Sequence, residues 1–178
     1  MHYGKINKYD VANGPGVRVS LFVSGCRNAC KGCFNPEAWD FSYGDEFTMD
    51  IAKEIGEALN PYYISGLTIL GGEPMEPENQ MIIYPFLQWI RQCYPNKSIW
   101  LYTGYTFEKL YNNPIPNVTM ELLRLIDVLV DGKFEEDKKD ISLVFRGSSN
   151  QRIINVQNTL KQYNDSGLIT LMNQYMTK

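Results

Sequence analysis

The sequence contains a single histidine, no long apolar run and no block of basic residues. His2 stands at the N-terminus, which we expect to be a mobile end, so histidine acid–base chemistry and histidine metal sites are poor candidates. No apolar run approaches membrane-spanning length, and residues 1–8 lack the apolar core of a signal peptide. The net charge of −3 argues against nucleic acid or an anionic membrane as partner. We therefore expect a cytoplasmic protein, whose thiols stay reduced.

The rest of the composition is ordinary for a globular protein. Of the 178 residues, 44% are hydrophobic and 21% are charged. The sequence has no internal repeat and no low-complexity segment. We therefore expect a single domain, residues 1–178.

Cysteine is also scarce, but the cysteines are clustered. Three of the four, Cys26, Cys30 and Cys33, fall within one short stretch directly after the strand-like run 17–24. Three thiolates on one loop can hold three corners of an iron–sulfur cluster and leave its fourth iron without a protein ligand. An iron with such an open position can bind a substrate and take part in its chemistry.

Two other chemistries could use the same cysteines, and both stay open at this point. Cys93 could complete a structural zinc site, although such sites normally draw on two closely spaced pairs. Cys30 and Cys33 could form a redox pair at the start of a helix, although this leaves Cys26 unexplained and Pro36 breaks a helix there. Cys93 lies on the apolar face of a predicted helix, so we expect it to be a buried thiol.

Apolar patterning predicts strands that alternate with helices. Thr48 is expected to cap the first helix, in which Ile51, Ile55 and Leu59 share one face. The predicted strands are 17–23, 67–70, 98–102 and 126–130, and the predicted helices are 48–59, 80–93 and 118–125. This alternation predicts an α/β fold with a mainly parallel sheet and right-handed crossovers.

Chemically distinctive residues follow each predicted strand. The four segments are the cysteine loop and residues 71–74, 103–105 and 131–133. Ligands of parallel α/β proteins gather at the carboxyl ends of the strands, so neighbouring strands would join these segments in one rim. The glycine pair Gly71-Gly72 allows close backbone approach, Glu73 supplies an acceptor, and Asp131 and Lys133 supply opposite charges. Such a rim offers partners to a ligand that carries both an ammonium and a carboxylate.

Two of these segments also have simpler explanations. Residues 71–74 fit a plain tight turn. Asp131-Gly132 is a hairpin signal, so Lys133 could begin a return strand. Each signal is weak by itself, and their joint position at the strand ends is what favours a ligand site.

The chain resembles the glycyl-radical-enzyme activases of the radical S-adenosylmethionine superfamily. The resemblance covers about residues 4–152 and depends on the cysteine motif in combination with Gly71-Gly72-Glu73-Pro74-Met75. Residues 146–152 are most similar to the activases that serve an anaerobic ribonucleoside-triphosphate reductase, and an activase of the formate-lyase type is the alternative. The other segments that carry the resemblance are 13–18, Phe22, Gly25-Cys26, Phe34-Asn35, Trp39 and 131–134.

The resemblance implies a fold, a cofactor and a reaction. The fold is an open partial (β/α) barrel of radical S-adenosylmethionine type. Cys26, Cys30 and Cys33 bind three irons of one 4Fe-4S cluster, and S-adenosyl-L-methionine chelates the fourth. Reductive cleavage of that compound gives a 5'-deoxyadenosyl radical, which takes hydrogen from a backbone glycine in the glycyl radical subunit of the reductase. A flavodoxin or ferredoxin-like donor is expected, because the sequence has no second cysteine cluster.

The resemblance also implies which residues contact S-adenosyl-L-methionine. These are Gly32, Cys33, Phe34, Gly71, Gly72, Glu73, Pro74, Asp131 and Lys133. Glu73 and the glycine backbone meet the ammonium, and Lys133 meets the carboxylate. Many members carry an aromatic residue just before the third cysteine, where this chain has Gly32. We therefore expect Phe34, with the backbone of Gly32 and Cys33, to face the adenosyl group.

Two arginines are further candidates. Arg18 and Arg152 could shape the site or dock the partner protein. Surface salt bridges would explain both of them equally well.

Overall fold

The computed structural model describes residues 1–170, with the backbone alone at 164–166. Its strands are β1 (His2–Asp10), β2 (Val17–Val23), β3 (Asp45–Glu46), β4 (Ile64–Gly71), β5 (Ser98–Tyr102), β6 (Val128–Asp131) and β7 (Arg152–Asn155). Its α-helices are α1 (Met49–Leu59), α2 (Pro77–Cys93), α3 (Phe107–Asn112), α4 (Thr119–Leu125) and α5 (Val156–Ser166). The single domain predicted from the sequence extends to residue 178, and residues 171–178 lie outside the described part of the chain.

The strands form one open, mixed sheet in the order β3-β1-β2-β4-β5-β6-β7. The four central strands β2, β4, β5 and β6 are parallel, as the sequence predicts. Antiparallel strands flank them, with β1 and β3 on one side and β7 on the other. The α/β class and the parallel centre are confirmed, and the three flanking strands are additions that the apolar pattern does not predict.

The expectation of a mobile N-terminus is wrong. His2 begins β1, and its carbonyl accepts a hydrogen bond from the backbone N–H of Ser24 (2.9 Å). β1 pairs antiparallel with β2 along most of its length. Its sequence is largely polar and several of its side chains are exposed, so hydrophobic patterning gives only a weak strand signal there.

All five α-helices pack on one face of the sheet. The main core contains residues of all five helices. It also contains the strand residues whose side chains point to that face, namely Leu67, Ile69, Ile99, Leu101 and Leu129. The parallel strands advance across the sheet in one direction, so crossovers of a single hand place α1 to α4 on the same side, and α5, which follows the antiparallel strand β7, packs there as well. The predicted cap of α1 is confirmed, because Thr48 Oγ1 accepts a hydrogen bond from the Ile51 N–H. Within residues 1–170, none of the helices combines the length and apolarity needed to cross a membrane.

The opposite face of the sheet carries a smaller apolar cluster, which includes Trp100 and Val130, and a buried arginine. The Arg18 guanidinium donates hydrogen bonds to Thr68 Oγ1 (2.7 Å), Ser98 Oγ (2.9 Å) and the Leu67 carbonyl (2.8 Å). It therefore ties β2 to β4 and β5 from within the fold. A surface salt bridge does not explain Arg18, since the side chain is fully buried.

The core predicts that replacing two isoleucines by alanine will have very different effects on the free energy of unfolding. Ile69 is fully buried in β4, whereas Ile141 is 92% exposed in a loop. Ile69→Ala should lower the free energy of unfolding by about 2 to 5 kcal/mol through lost burial and the cavity it leaves. Ile141→Ala should change it by no more than about 0.5 kcal/mol. Urea unfolding of the two variants measures both values, and equal losses would contradict this description of the core.

Candidate functional site

The loops that follow β2, β4, β5 and β6 meet at the carboxyl edge of the parallel strands. The backbone N–H of Glu73 donates to the Gly25 carbonyl (2.8 Å), which joins the cysteine loop to the loop after β4. The N–H of Gly104 donates to Glu73 Oε2 (2.7 Å), and the N–H of Gly132 donates to the Tyr105 carbonyl (3.2 Å). The prediction that the four segments form one rim is confirmed.

The cysteine loop presents three free thiols of intermediate burial, Cys26, Cys30 and Cys33. Its first part is held by a hydrogen bond from the Cys26 N–H to the Trp39 carbonyl (3.1 Å). Its second part is a turn in which the Cys33 N–H donates to the Cys30 carbonyl (3.2 Å), and Gly32 adopts a positive φ of 71° there. Three soft sulfur ligands on one short loop are a donor set that fits iron–sulfur chemistry.

The surroundings of Cys26 and Cys30 favour the protonated forms of these two thiols. Burial raises the pKa of Cys26, and burial also raises the pKa of Cys30. The positive charge of Lys133 and the backbone N–H of Phe134 oppose the rise in the pKa of Cys30, so both groups lie close to that sulfur. Cysteine binds metal as the thiolate, and metal binding must therefore release protons from this loop.

Glu73 is the buried centre of the rim. Its carboxylate accepts four hydrogen bonds, from Thr103 Oγ1 (2.6 Å), Asn28 Nδ2 (2.8 Å) and the N–H groups of Met75 (2.9 Å) and Gly104 (2.7 Å). Burial raises the pKa of Glu73 to about 7, and the four donors act against that rise. The side chain is fully buried, so direct contact with a ligand ammonium requires a donor such as Asn28 to move and stays a prediction.

The glycine pair is required by close packing of the chain. Gly71 has a φ of +110°, and a Cβ atom there would lie 2.7 Å from the Val23 carbonyl oxygen. A Cβ atom at Gly72 would lie 2.8 Å from the Gly25 carbonyl oxygen. Pro74, which follows Glu73, is buried. The tight turn is therefore real, and it brings the backbone of this loop against the cysteine loop, where a ligand contact stays a prediction.

A second anchor of the cysteine loop is not among the residues that the sequence predicts. The Arg27 N–H donates to Glu76 Oε1 (2.8 Å), and its guanidinium pairs with Glu76 (2.6 Å) and Glu78 (2.6 Å). The guanidinium carbon also lies 4.3 Å from the centre of the Phe41 ring. The sequence did contain a signal for this anchor: a basic residue inside the cysteine loop, and several acidic residues in and just after the loop that follows β4.

The fourth loop keeps one charged group buried and one exposed. The Asp131 carboxylate is fully buried and accepts hydrogen bonds from the Phe107 N–H (2.7 Å) and from Arg152 Nε (2.9 Å). Lys133 is exposed at the rim. The hairpin alternative is wrong, because the antiparallel partner of β6 is the distant strand β7. Asp131 thus stabilises the loop, while ligand contacts of Asp131 and Lys133 stay predictions.

Phe34, directly after the third cysteine, is 92% exposed. Gly32 is exposed beside it, and Cys33 is half-buried. An exposed aromatic ring next to a metal-binding loop is free to contact a ligand or a partner protein. Contact of Phe34 and of the Gly32 and Cys33 backbone with the adenosyl group stays a prediction.

The expectation that Cys93 is a buried thiol is wrong, because the side chain is exposed. α2 begins at Pro77, next to Glu76 and the cysteine loop, and its 17 residues end at Cys93. A helix of that length places its last residue about 24 Å from its first. Cys93 is therefore far from the other three thiols, which argues against the zinc site that would use it.

The described residues also lack the arrangement of a mononuclear metal site. Within residues 1–170, no three histidine, cysteine, aspartate or glutamate side chains converge as ligands of one ion. In a 4Fe-4S cluster each cysteine binds a different iron, so its cysteines need not converge on a single point. The three thiols of this loop fit the second kind of centre.

Comparison with known proteins gives the same assignment. Residues 12–154 match the 4Fe-4S single cluster domain family. The chain is 42% identical to the anaerobic ribonucleoside-triphosphate reductase-activating protein of Enterobacteria phage T4 over 153 residues, which are 86% of this chain and 93% of the relative. It is 42% identical to that of Pasteurella multocida over 155 residues, which cover 86% and 96%. It is 43% identical to that of Haemophilus influenzae over 155 residues, which cover 86% and 97%.

These matches include all four loops of the rim and the three clustered cysteines. Identity at this level over nearly the full length of the relatives shows common membership. The chain therefore belongs to the family of anaerobic ribonucleoside-triphosphate reductase-activating proteins, and it carries a 4Fe-4S single cluster domain.

Proposed function

We propose that this chain activates an anaerobic ribonucleoside-triphosphate reductase through reductive cleavage of S-adenosyl-L-methionine at a 4Fe-4S cluster. The observation that carries the proposal is the contact of a three-thiol loop with the loops of three neighbouring parallel strands, in a chain whose relatives are named activating proteins of that reductase. Cys26, Cys30 and Cys33 each bind one iron. The fourth iron has no thiolate ligand, since Cys93 lies at the far end of α2.

Cys26, Cys30 and Cys33 would hold the cluster, which when bound would supply the one electron for cleavage of the sulfonium bond of S-adenosyl-L-methionine; the products would be methionine and a 5'-deoxyadenosyl radical able to take a hydrogen atom from a glycine of the reductase. The tasks of the protein are to hold the ligand, exclude water and admit the glycine to the radical. The electron comes from an external flavodoxin or ferredoxin-like protein, because the sequence holds cysteines for one cluster only.

The residues of the rim divide these tasks. Lys133 binds the ligand carboxylate, which is supported by its exposure and by its closeness to Cys30. The backbone of Gly71 and Gly72 binds the ammonium, with Glu73 fixing the loop beneath. Pro74 keeps that loop in its turn, and Asp131 holds the start of the lysine loop in place.

Phe34 and the backbone of Gly32 and Cys33 contact the adenosyl group. The ring supports this role because it is 92% exposed and directly follows Cys33 in the chain. Aromatic rings bind other rings through stacking.

The fold and the location belong to the same proposal. The four parallel strands, with every helix on one face, act as an open partial (β/α) barrel of radical S-adenosylmethionine type. The open edge of such a barrel admits a protein loop that carries the target glycine. We place the reaction in the cytoplasm, where free thiols stay reduced and available for iron.

The four cysteines should separate into two groups when they are replaced. Anaerobic reconstitution with iron and sulfide, followed by metal analysis, should give about four irons per chain in the wild type and in Cys93→Ala. Cys26→Ala, Cys30→Ala and Cys33→Ala should each retain much less iron and lose the visible absorption of the cluster. Loss of iron in Cys93→Ala, with retention in Cys30→Ala, would contradict the assigned ligands.

Reduction of the reconstituted protein with S-adenosyl-L-methionine should produce 5'-deoxyadenosine and methionine. With the reductase present, electron paramagnetic resonance should detect a glycyl radical on the reductase. If protein with a complete cluster forms no 5'-deoxyadenosine in this reaction, the proposed cleavage is wrong.

Lys133→Ala should raise the KM for S-adenosyl-L-methionine by about tenfold or more, since a hydrogen bond to a charged group is lost. Iron content should not change. Lys53→Ala, which removes an exposed lysine of α1, is the matched control and should leave the KM as it is. An unchanged KM in Lys133→Ala would remove this residue from the binding site.

A further inference from the structure

The segment that precedes β7 lies against the turn that carries Lys133. Asn150 and Gln151 of this segment, and Arg152 at the start of β7, each donate a side-chain hydrogen bond to the residue opposite. The contacts are Arg152 Nε to the Asp131 carboxylate (2.9 Å), Gln151 Nε2 to the Gly132 carbonyl (3.1 Å) and Asn150 Nδ2 to the Lys133 carbonyl (2.8 Å). The turn is thus held residue by residue from one side.

These contacts continue where the backbone pairing stops. β6 and β7 are antiparallel, and Asp131 opposite Arg152 is the last pair of their ladder. Beyond it the chain turns at Gly132, which has a φ of +102°. The amide side chains of Gln151 and Asn150 therefore take over the role that backbone N–H groups play inside the sheet.

Gln151 uses both ends of its amide. Its Oε1 atom accepts hydrogen bonds from the N–H groups of Gly147 (2.8 Å) and Ser148 (3.1 Å), which closes its own segment into a loop. Its Nε2 atom reaches the Gly132 carbonyl across the gap. Arg146 Nη1 donates to the Gln151 carbonyl (3.0 Å), so the backbone of Gln151 is fixed as well. The donor that holds the turn is therefore itself rigidly placed.

Arg152 extends the same support to α3. Its guanidinium pairs with both oxygens of Glu108 (2.9 and 2.7 Å) while it holds Asp131. Asp131 in turn accepts the N–H of Phe107 at the start of α3 (2.7 Å). Salt bridges thus do involve Arg152, but one partner is the buried Asp131 of the rim and the other is Glu108 of α3, so the pairing is not confined to the surface.

We infer that Asn150 and Gln151 are positioning residues for S-adenosyl-L-methionine: by fixing the carbonyls of Gly132 and Lys133, they hold the lysine ammonium beside the cysteine loop and so set the affinity for the carboxylate of the ligand. This inference rests on the proposed function, in which Lys133 binds that carboxylate. A lysine on a fixed backbone loses less conformational freedom when it binds, which strengthens binding.

The first test measures how well the backbone of the turn is protected from hydrogen exchange, in the protein without any cofactor. Gln151→Glu keeps the acceptor for Gly147 and Ser148 but removes the donor to Gly132. Hydrogen–deuterium exchange of residues 132–135 in the cluster-free protein should be several-fold faster in this variant and in Asn150→Ala. Ser149→Ala, which changes an exposed side chain in the same segment, is the control and should exchange like the wild type.

The second test measures binding by equilibrium dialysis of S-adenosyl-L-methionine against the reconstituted protein. Gln151→Glu and Asn150→Ala should each raise the Kd about fivefold, the effect of one lost hydrogen bond, with unchanged iron content and visible spectrum. In a Lys133→Ala background the same substitutions should cause no further loss, because they act through that lysine. Ser149→Ala should bind like the wild type in both backgrounds.

The outcomes of these tests distinguish failure of the positioning role from failure of the proposed function on which it rests. If the wild type binds S-adenosyl-L-methionine but the two variants bind equally well, or if their losses add fully to that of Lys133→Ala, the inference is wrong and the proposed function stands. If the reconstituted wild type does not bind the compound, the proposed function fails, and the positioning role fails with it. Asn150→Ala decides the question alone should Gln151→Glu not fold.

Discussion

The site depends on one buried carboxylate. Glu73 accepts hydrogen bonds from Asn28 in the cysteine loop and from Thr103 and Gly104 after β5, so a single side chain joins three of the four loops. A buried charged group that loses one of its partners pays the full cost of its lost solvation, and the loops therefore hold one another in place. The hydrogen bonds that organise the rim are therefore supplied by the protein itself.

Different charged residues of the rim lie near the first and the second cysteine of the loop. Glu73 and Glu76 lie buried toward the first cysteine, where both contribute to the raised pKa of Cys26 after burial itself, and Arg27 compensates Glu76. Lys133 stands on the other side, where its charge lowers the pKa of Cys30 against the effect of burial. Glu73 also raises the pKa of Cys30, so charges of both signs act on that thiol.

The parts of this arrangement that follow from local sequence were predictable, and the parts that depend on distant contacts were not. The apolar runs of β2, β4, β5 and β6 fix the parallel centre, and the strand ends then fix the rim. β1 is too polar and β3 too short for periodicity to detect, and β7 offers only the apolar pair Ile153-Ile154 between polar residues. Three of the four donors of Glu73 come from residues 28, 103 and 104, which no sequence pattern connects to it. Cys93 was misplaced because it is the last residue of α2: Ile90 is fully buried in the same turn, whereas the Cys93 side chain meets solvent.

The topology explains why the segment before β7 can support a turn that lies far from it in sequence. β7 returns antiparallel to β6, so the residues that precede β7 must pass the residues that follow β6. Since a shift of one residue would turn every side chain to the other face, the register decides which side chains face the lysine turn. The ion pair of Arg152 with the buried Asp131 stabilises that register at its last position. The alignment of Gln151 and Asn150 with Gly132 and Lys133 then follows from the ion pair, and the placement of the exposed lysine depends on a contact buried beneath it.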